Sequence, residues 1–390
     1  MDRDAEAETR IYTLSDYTTD ELMEISGIEK GSRWIQKCLE SGNPANAGQR
    51  RALLQKFLGR KDTKLITDTF RHYILIKFIN EGTPQEQQDL ANYIGEHVQE
   101  LMENSYGCRI VQSGMEKFKM TSHQDALIDF MKRKGVVRLA EDQNGSHLLQ
   151  KLIDSVSSER SRFIIDAILE RSDTVVKLSE HLHGCRLMQH LVSCGDRDAV
   201  EPIMKDLCVN SKELSLNSYG NYVIQAVVKD GPLKHRQSVC ETVLQNLVAL
   251  SHQKHASNVV ERCLECGDDK FRGKMVDAVI RTTPHLKANP NHSPGGSGGN
   301  NGGQKIFLSL MVDQYGNFVI QKLLKLANNE QRKKLMDAIK PHVDSLHRYA
   351  YGPPMIKFLQ QLIEEMQESG KRVSPARPVV GPAGDCKSAS

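Results

Sequence analysis

The chain has 390 residues, 39% of them hydrophobic, with 52 Lys and Arg against 49 Asp and Glu and a formal net charge of +3. This is enough to bury a large core, but it points to no particular partner: a basic surface, if there is one, must be confined to one face and balanced by acid elsewhere. No apolar run follows MDRDAEAETR and no stretch approaches the ~20 apolar residues of a membrane span, so the chain reads as soluble and unexported, and its nine scattered cysteines fit a reducing compartment better than a disulfide framework.

In chain order, residues 1–15 lack periodic apolar positions and are expected to form a disordered tail. GSRWIQKCL from Gly31 is then the first of a series of related segments. It is followed by SYGCRIVQ from Ser105, NGSHLLQKL from Asn144, HGCRLMQHL from His183, SYGNYVIQAVV from Ser218 and QYGNFVIQKL from Gln314. Indexed on the residue after the Gly-like position, the series is Ser32, His72, Cys108, Ser146, Cys185, Asn221, Ser257 and Asn317. Most steps lie near 36 residues, a repeat architecture. Seven residues before each index stands an apolar anchor: Ile25, Leu65, Leu101, Leu139, Leu178, Leu214, Leu250 and Leu310.

Taken alone, SYGNYVIQAVV suits a buried strand. The recurrence of Gly42, Gly82, Gly195, Gly231 and Gly267 at a fixed offset argues instead for helices of about three turns opening near each index and ending on a left-handed residue. The intervening stretches, such as 82–102 and 157–178, have apolar residues at helical spacing. Each unit therefore reads as a helix pair. A pair cannot bury its apolar face alone, so the units are expected to stack into a curved all-α solenoid with atypical units at its ends.

Between the seventh and eighth indices the step lengthens to 60, and the Gly-, Pro-, Asn- and Ser-rich segment 282–304 accounts for it as a flexible insertion. No Gly-Lys-Ser/Thr follows, which argues against a phosphate-binding loop. YAYGPPMIKFLQQLIEEM from Tyr349 restarts the pattern with Pro353 and Pro354 where polar residues stand elsewhere, as a capping half-repeat. Residues 370–390 read as a second disordered tail, leaving one domain over 16–369.

Positions one and five of each motif lie one helical turn apart and share a face, with position two about 100° around the helix. The triplets are Ser32, Arg33, Gln36; His72, Tyr73, Ile76; Cys108, Arg109, Gln112; Ser146, His147, Gln150; Cys185, Arg186, Gln189; Asn221, Tyr222, Gln225; Ser257, Asn258, Glu261; and Asn317, Phe318, Gln321. Polar pairs flanked by flat side chains at regular spacing suit single-stranded bases, stacked between planes and bonded along their Watson–Crick edges. A solvated helix face explains any one pair, but not eight aligned ones. Cys263 and Cys266 form a CxxC with no second pair nearby, and because they align with Cys38 and Cys194 of other units they read as structural. No residue set suggests catalysis, a metal or a cofactor.

Over residues 20–367 the chain resembles the Pumilio/FBF (PUF) RNA-binding proteins, and the resemblance rests on these eight triplets. It implies a right-handed α-solenoid of eight Pumilio-type repeats with capping half-repeats. Each repeat would bind one base, and the 5′ base would meet the last repeat. The implied protein is a monomeric cytoplasmic regulator that binds mRNA 3′ untranslated regions and recruits a deadenylase or translational repressors. Asn with Gln suits uracil, in repeats six and eight; Glu261 suits guanine, which offers two donors to a carboxylate; Ser or Cys with Gln beside Arg is the adenine pattern, in repeats one, three and five. The expected element begins UGU. Repeat four is left open, because Ser146 stands where the uracil set has Asn, and so is repeat two, where Ile76 cannot hydrogen-bond a base. A HEAT- or armadillo-like scaffold binding an extended peptide is the competing reading. It accounts less well for the period, the flat residue at position two and the lone Glu. A ribosome-assembly relative of the same fold predicts more than eight repeats with degenerate readers. In PUF proteins the loop at the junction of repeats seven and eight lies where repressors dock, so the insertion is expected to serve protein partners.

Overall fold

The computed structural model describes residues 12–59, 63–118, 121–280 and 306–372, and every regular element among them is helical. The chain divides into two compact units, Met1–Val239 and Cys240–Ser390. In the first, six motif helices pack each against the next: Glu29–Glu40, Arg71–Glu81, Ser105–Lys117, Gln143–Ser155, Gly184–Cys194 and Gly220–Asp230. In the second, Ala256–Cys266 packs on Gly316–Leu326, which packs on the terminal helix Gly352–Arg372.

The β-branched run that imitates a strand is the buried face of one of these helices. Val223, Ile224, Val227 and Val228 are all 0% exposed. Removing each such side chain from water contributes roughly 1.5–3 kcal/mol, more than the few tenths of helix propensity a β-branched residue forfeits.

Most repeats prove to be three helices rather than two, although in repeat two the anchor Leu65 lies in turns over 63–70 instead of a helix. In repeat five, Thr174–Ser179 carries the anchor Leu178, Gly184–Cys194 carries the motif, and Glu201–Val209 closes the unit. The sequence hides the short anchor helix because one and a half turns give too little periodicity to register. In repeat three the anchor Leu101 lies at the end of Pro84–Met102, which bends at His97 (φ −109°, ψ 15°).

The recurrent glycines stand where the sequence puts them, but mostly for another reason. Gly42 is left-handed (φ 62°), whereas Gly82, Gly195, Gly231 and Gly267 are extended. What excludes a side chain there is contact. A Cβ on Gly231 would lie 2.4 Å from the Val227 carbonyl oxygen, and one on Gly82 2.2 Å from that of Phe78. The same holds at the motif's own glycine: a Cβ on Gly220 would come within 2.7 Å of the carbonyl oxygen of its anchor, Leu214.

Both ends extend beyond the expected boundaries. Leu14–Asp16 forms a turn of 3-10 helix, Leu14 is 0% exposed and its N–H donates to Asn46 Oδ1 at 2.8 Å, so the residues just before 16 belong to the fold. At the other end the helix continues to Arg372, past 369. Pro353 and Pro354 sit exposed in its first turn, where Pro costs no helical hydrogen bond. The insertion at 282–304 lies outside the described residues.

Candidate nucleic-acid interface

One pattern of burial repeats in every motif helix: position one is buried, position two faces out, and position five is half-buried. His147, half-buried at position two, is the exception. The sequence suggests that positions one and five meet a ligand as a pair. The structure gives them different surroundings.

Asn221 is 1% exposed and turned inward. Its Nδ2 donates to the backbone oxygens of Asn217 (2.9 Å) and Ser218 (3.0 Å), which fixes the orientation of its amide. Its Oδ1 then accepts from Gln225 Nε2 at 3.1 Å. That bond orients the second amide in turn and leaves Gln225 Oε1 and one Nε2–H for the open side. In the second unit Asn317 Nδ2 likewise donates to Asp313 O (2.7 Å), and Gln321 Nε2 to Asn317 Oδ1 (3.0 Å).

Shorter residues at position one do related work. Ser32 Oγ donates to Phe70 O (2.8 Å) and accepts from Gln36 Nε2 (3.0 Å). Ser146 Oγ donates to His183 O (3.0 Å), and Gln150 Nε2 donates back to Ser146 O (3.1 Å). Cys185 Sγ lies 3.4 Å from Leu182 O, while Gln189 Nε2 donates to Cys185 O (3.0 Å). Cys108 Sγ lies 3.4 Å from Met102 O, its thiol pushed up to about 11 chiefly by burial, and Gln112 is half-buried beside it.

The flat residues at position two form the exposed layer. Tyr222 and Phe318 are each 54% exposed, and Tyr73, Arg33, Arg109, Arg186 and Asn258 also face out. Arg33 pairs with Glu29 at 2.8 Å, and Arg109 Nη1 donates to Tyr73 Oη at 3.4 Å, so planes from consecutive repeats touch. Burial, with Arg186 and other cations adding to it, holds the His147 imidazole below its ordinary pKa.

Repeats two and seven differ from this scheme. His72 is 0% exposed, its Nδ1 bonded to Asp68 O at 2.9 Å and its ring against Tyr73 and Tyr106 at centroid distances of 3.9 and 4.7 Å. Repeat two thus joins a fully buried imidazole at position one to an aliphatic side chain at position five. In repeat seven Ser257 Oγ donates to Lys254 O (3.2 Å), and Glu261 is the one carboxylate among the eight residues at position five, its side chain 24% exposed. Burial pushes its carboxyl above the usual range, and Lys322, with Nζ 3.8 Å from Glu261 Oε2, opposes that.

Two layers of support are absent from the sequence reading. Four residues before the index, Asn104, Asn217 and Asp313 each accept from two backbone N–H groups at the start of the motif helix, as at Asn217 Oδ1 with Tyr219 N (2.8 Å) and Gly220 N (3.0 Å). Asp68 caps in the same way, Asp142 accepts from Gly145 N alone (2.7 Å), and His181 Nδ1 takes the place in repeat five. Alignment four positions upstream of the index would reveal this set. The other layer joins an acid at position nine of one motif to a base at position six of the next: Glu40 with Lys77, Glu116 with Lys151, Asp154 with His190 (2.9 Å) and Glu265 with Lys322 (2.6 Å).

The model of the Pumilio-family RNA binding repeat matches residues 30–48, 97–129, 135–169, 175–208, 212–244, 246–280 and 307–340, passing over the repeat that holds His72 and Ile76. A Pumilio domain-containing protein of Schizosaccharomyces pombe is 25% identical over 85% of the chain and 44% of its own length. Pumilio homolog 12 of Arabidopsis thaliana is 27% identical over 76% and 46%. Fem-3 mRNA-binding factor 2 of Caenorhabditis elegans is 22% identical over 95% and 64%. The chain thus spans about half the length of the curated relatives it matches. Among solved structures, PUF-8 in complex with PBE-RNA superposes with a TM-score of 0.78 at 28% identity, covering 93% of this chain and 98% of that one. The Puf3 RNA binding domain bound to a Cox17 RNA 3′ UTR recognition sequence gives 0.73 at 25%, covering 90% and 97%.

Proposed function

Because the chain belongs to the Pumilio family of RNA-binding repeat proteins, we propose that it binds single-stranded RNA with a 5′-UGU core in mRNA 3′ untranslated regions, one base to a repeat. It regulates those messages in the cytoplasm, as a monomer, by bringing deadenylase or repressor partners to them. The solved relatives bound to RNA support the ligand class, and one of them is bound to a 3′ UTR recognition sequence.

The reading of the core follows from which atoms remain free. Gln321 and Gln225, their amides oriented by Asn317 and Asn221, each offer an acceptor and a donor, the complement of uracil N3–H and O4. Phe318 and Tyr222 supply the stacking planes beside them. Glu261, ionised, offers only acceptors and complements guanine N1–H and N2–H₂. Neutral Gln stands at the same position in six of the other repeats. That single carboxylate is the observation that carries the reading.

Glu261→Gln removes one acceptor and adds a donor where guanine is itself a donor. Affinity for UGU RNA should fall by roughly 1–3 kcal/mol, and an oligonucleotide with an altered second base should recover part of the loss. Titration of both RNAs by fluorescence polarisation tests it. An unchanged preference for guanine would remove repeat seven from the assignment.

A further inference from the structure

We infer that Lys322 is a positioning residue for the acidic reader of repeat seven: from the motif helix of repeat eight it holds the Glu261 carboxylate in place as an anion and thereby sets how sharply that repeat separates guanine from adenine. The inference rests on the proposal that Glu261 reads guanine.

Lys322 Nζ lies 2.6 Å from Glu265 Oε1 and 3.8 Å from Glu261 Oε2, bridging two carboxylates one turn apart on Ala256–Cys266. Elsewhere a lysine at position six follows a motif whose position five is neutral, Gln36 before Lys77 and Gln112 before Lys151. Only here does it meet an acidic one. The charged groups facing Glu261 are few. Glu265 lies on its own helix, itself paired with Arg262 at 2.7 Å, and Lys322 comes from Gly316–Leu326. The short helix Leu247–Ser251, packed on the same helix, has no charged side chain. Burial and Glu265 both favour the protonated acid, and Lys322 opposes them.

The protonation state matters because it changes which base fits. An ionised carboxylate presents two acceptors, matching the two donors of guanine; a protonated one presents an acceptor and a donor, matching adenine N6–H₂ and N1. Losing Lys322 should therefore convert a guanine reader into one whose preference depends on pH.

The test measures Kd for UGU and UAU oligonucleotides with the full chain between about pH 5.5 and 8.5, for the wild type and for Lys322→Met, Lys322→Arg, Glu265→Gln and Glu261→Gln. For Lys322→Met the guanine-to-adenine ratio should drop about tenfold near the acid end and return toward the wild-type value near the basic end. Lys322→Arg should restore it. Glu265→Gln, which removes the competing anion and leaves the cation to Glu261, should extend guanine preference to lower pH than in the wild type. A ratio in Lys322→Met that is unchanged, or reduced equally at every pH, overturns the inference while leaving Glu261 as the reader. A Glu261→Gln variant that still prefers guanine overturns the underlying assignment instead.

Discussion

Asn221 and Gln225 show how a residue type legible in the sequence acquires its role only in three dimensions. Helical spacing puts both on one face, but it cannot tell that the Asn amide is held by two backbone oxygens and that only the Gln is left to face a ligand. Repeat two makes the contrast plain. His72 is fully buried and Ile76 is aliphatic, so on the proposed reading a base at this repeat would find no side-chain hydrogen-bonding partner at position one or five. Substituting the seventh base of the element should change affinity by less than the ~1 kcal/mol of a lost hydrogen bond, whereas Ile76→Gln should create a preference for uracil or adenine there. Binding of the four seventh-base variants checks both statements. Burial also makes His72 and His123 acid-sensitive. Each donates Nδ1–H to a backbone oxygen, of Asp68 and Ala91 respectively, each leaves Nε2 buried without a partner, and in both burial holds the pKa below 6.5. The unfolded chain protonates these imidazoles more readily than the folded one. Their contribution to stability is therefore present above about pH 6.5 and lost as pH falls toward the depressed folded values. Urea midpoints measured across that range should decline on the acid side, and less steeply in His123→Gln.

At the scale of the element, the motif helices were legible because they are long enough for their apolar spacing to stand out and because their glycines recur. The reason for the glycines was not legible: whether a position needs a positive φ or only a vanishing side chain depends on where the carbonyl four residues back points. The distinction can be tested. Gly231→Ala places a Cβ against the Val227 oxygen and 3.0 Å from Met204 Cε, and should cost about 1–3 kcal/mol. Gly48→Ala, in the helix Ala47–Leu58 with nothing within 4 Å of the new atom, should stabilise by about 0.5–1 kcal/mol. Urea denaturation of the two variants should shift in opposite directions. The short anchor helices and the caps of Asn217 and Asp313 escaped notice for a related reason: each is too brief to show a period, and its meaning lies in backbone N–H groups that a sequence does not display.

Across the whole molecule, the order of repeats and the location of the insertion follow from counting residues, while the pairing of charges between repeats does not, since Glu265 and Lys322 are separated by the insertion itself. The insertion should be dispensable for binding RNA, because its composition offers few cations and no flat side chains apart from His285 and His292. Deleting Asn289 to Gly303 should leave UGU affinity nearly unchanged while diminishing recovery of co-purifying proteins; a large loss of affinity contradicts that division of labour. The charge pairs bear on a different matter, the interchangeability of modules. Glu116 is answered by Lys151 and Asp154 by His190, so repeat four carries half of a lock on each flank, the other halves belonging to repeats three and five. Repeat four transplanted to a new place would bring its base preference with it but leave both locks mismatched, one on each flank. Reprogramming this protein by exchanging reader side chains within a repeat should therefore succeed where shuffling whole repeats fails, unless the flanking charges travel with them.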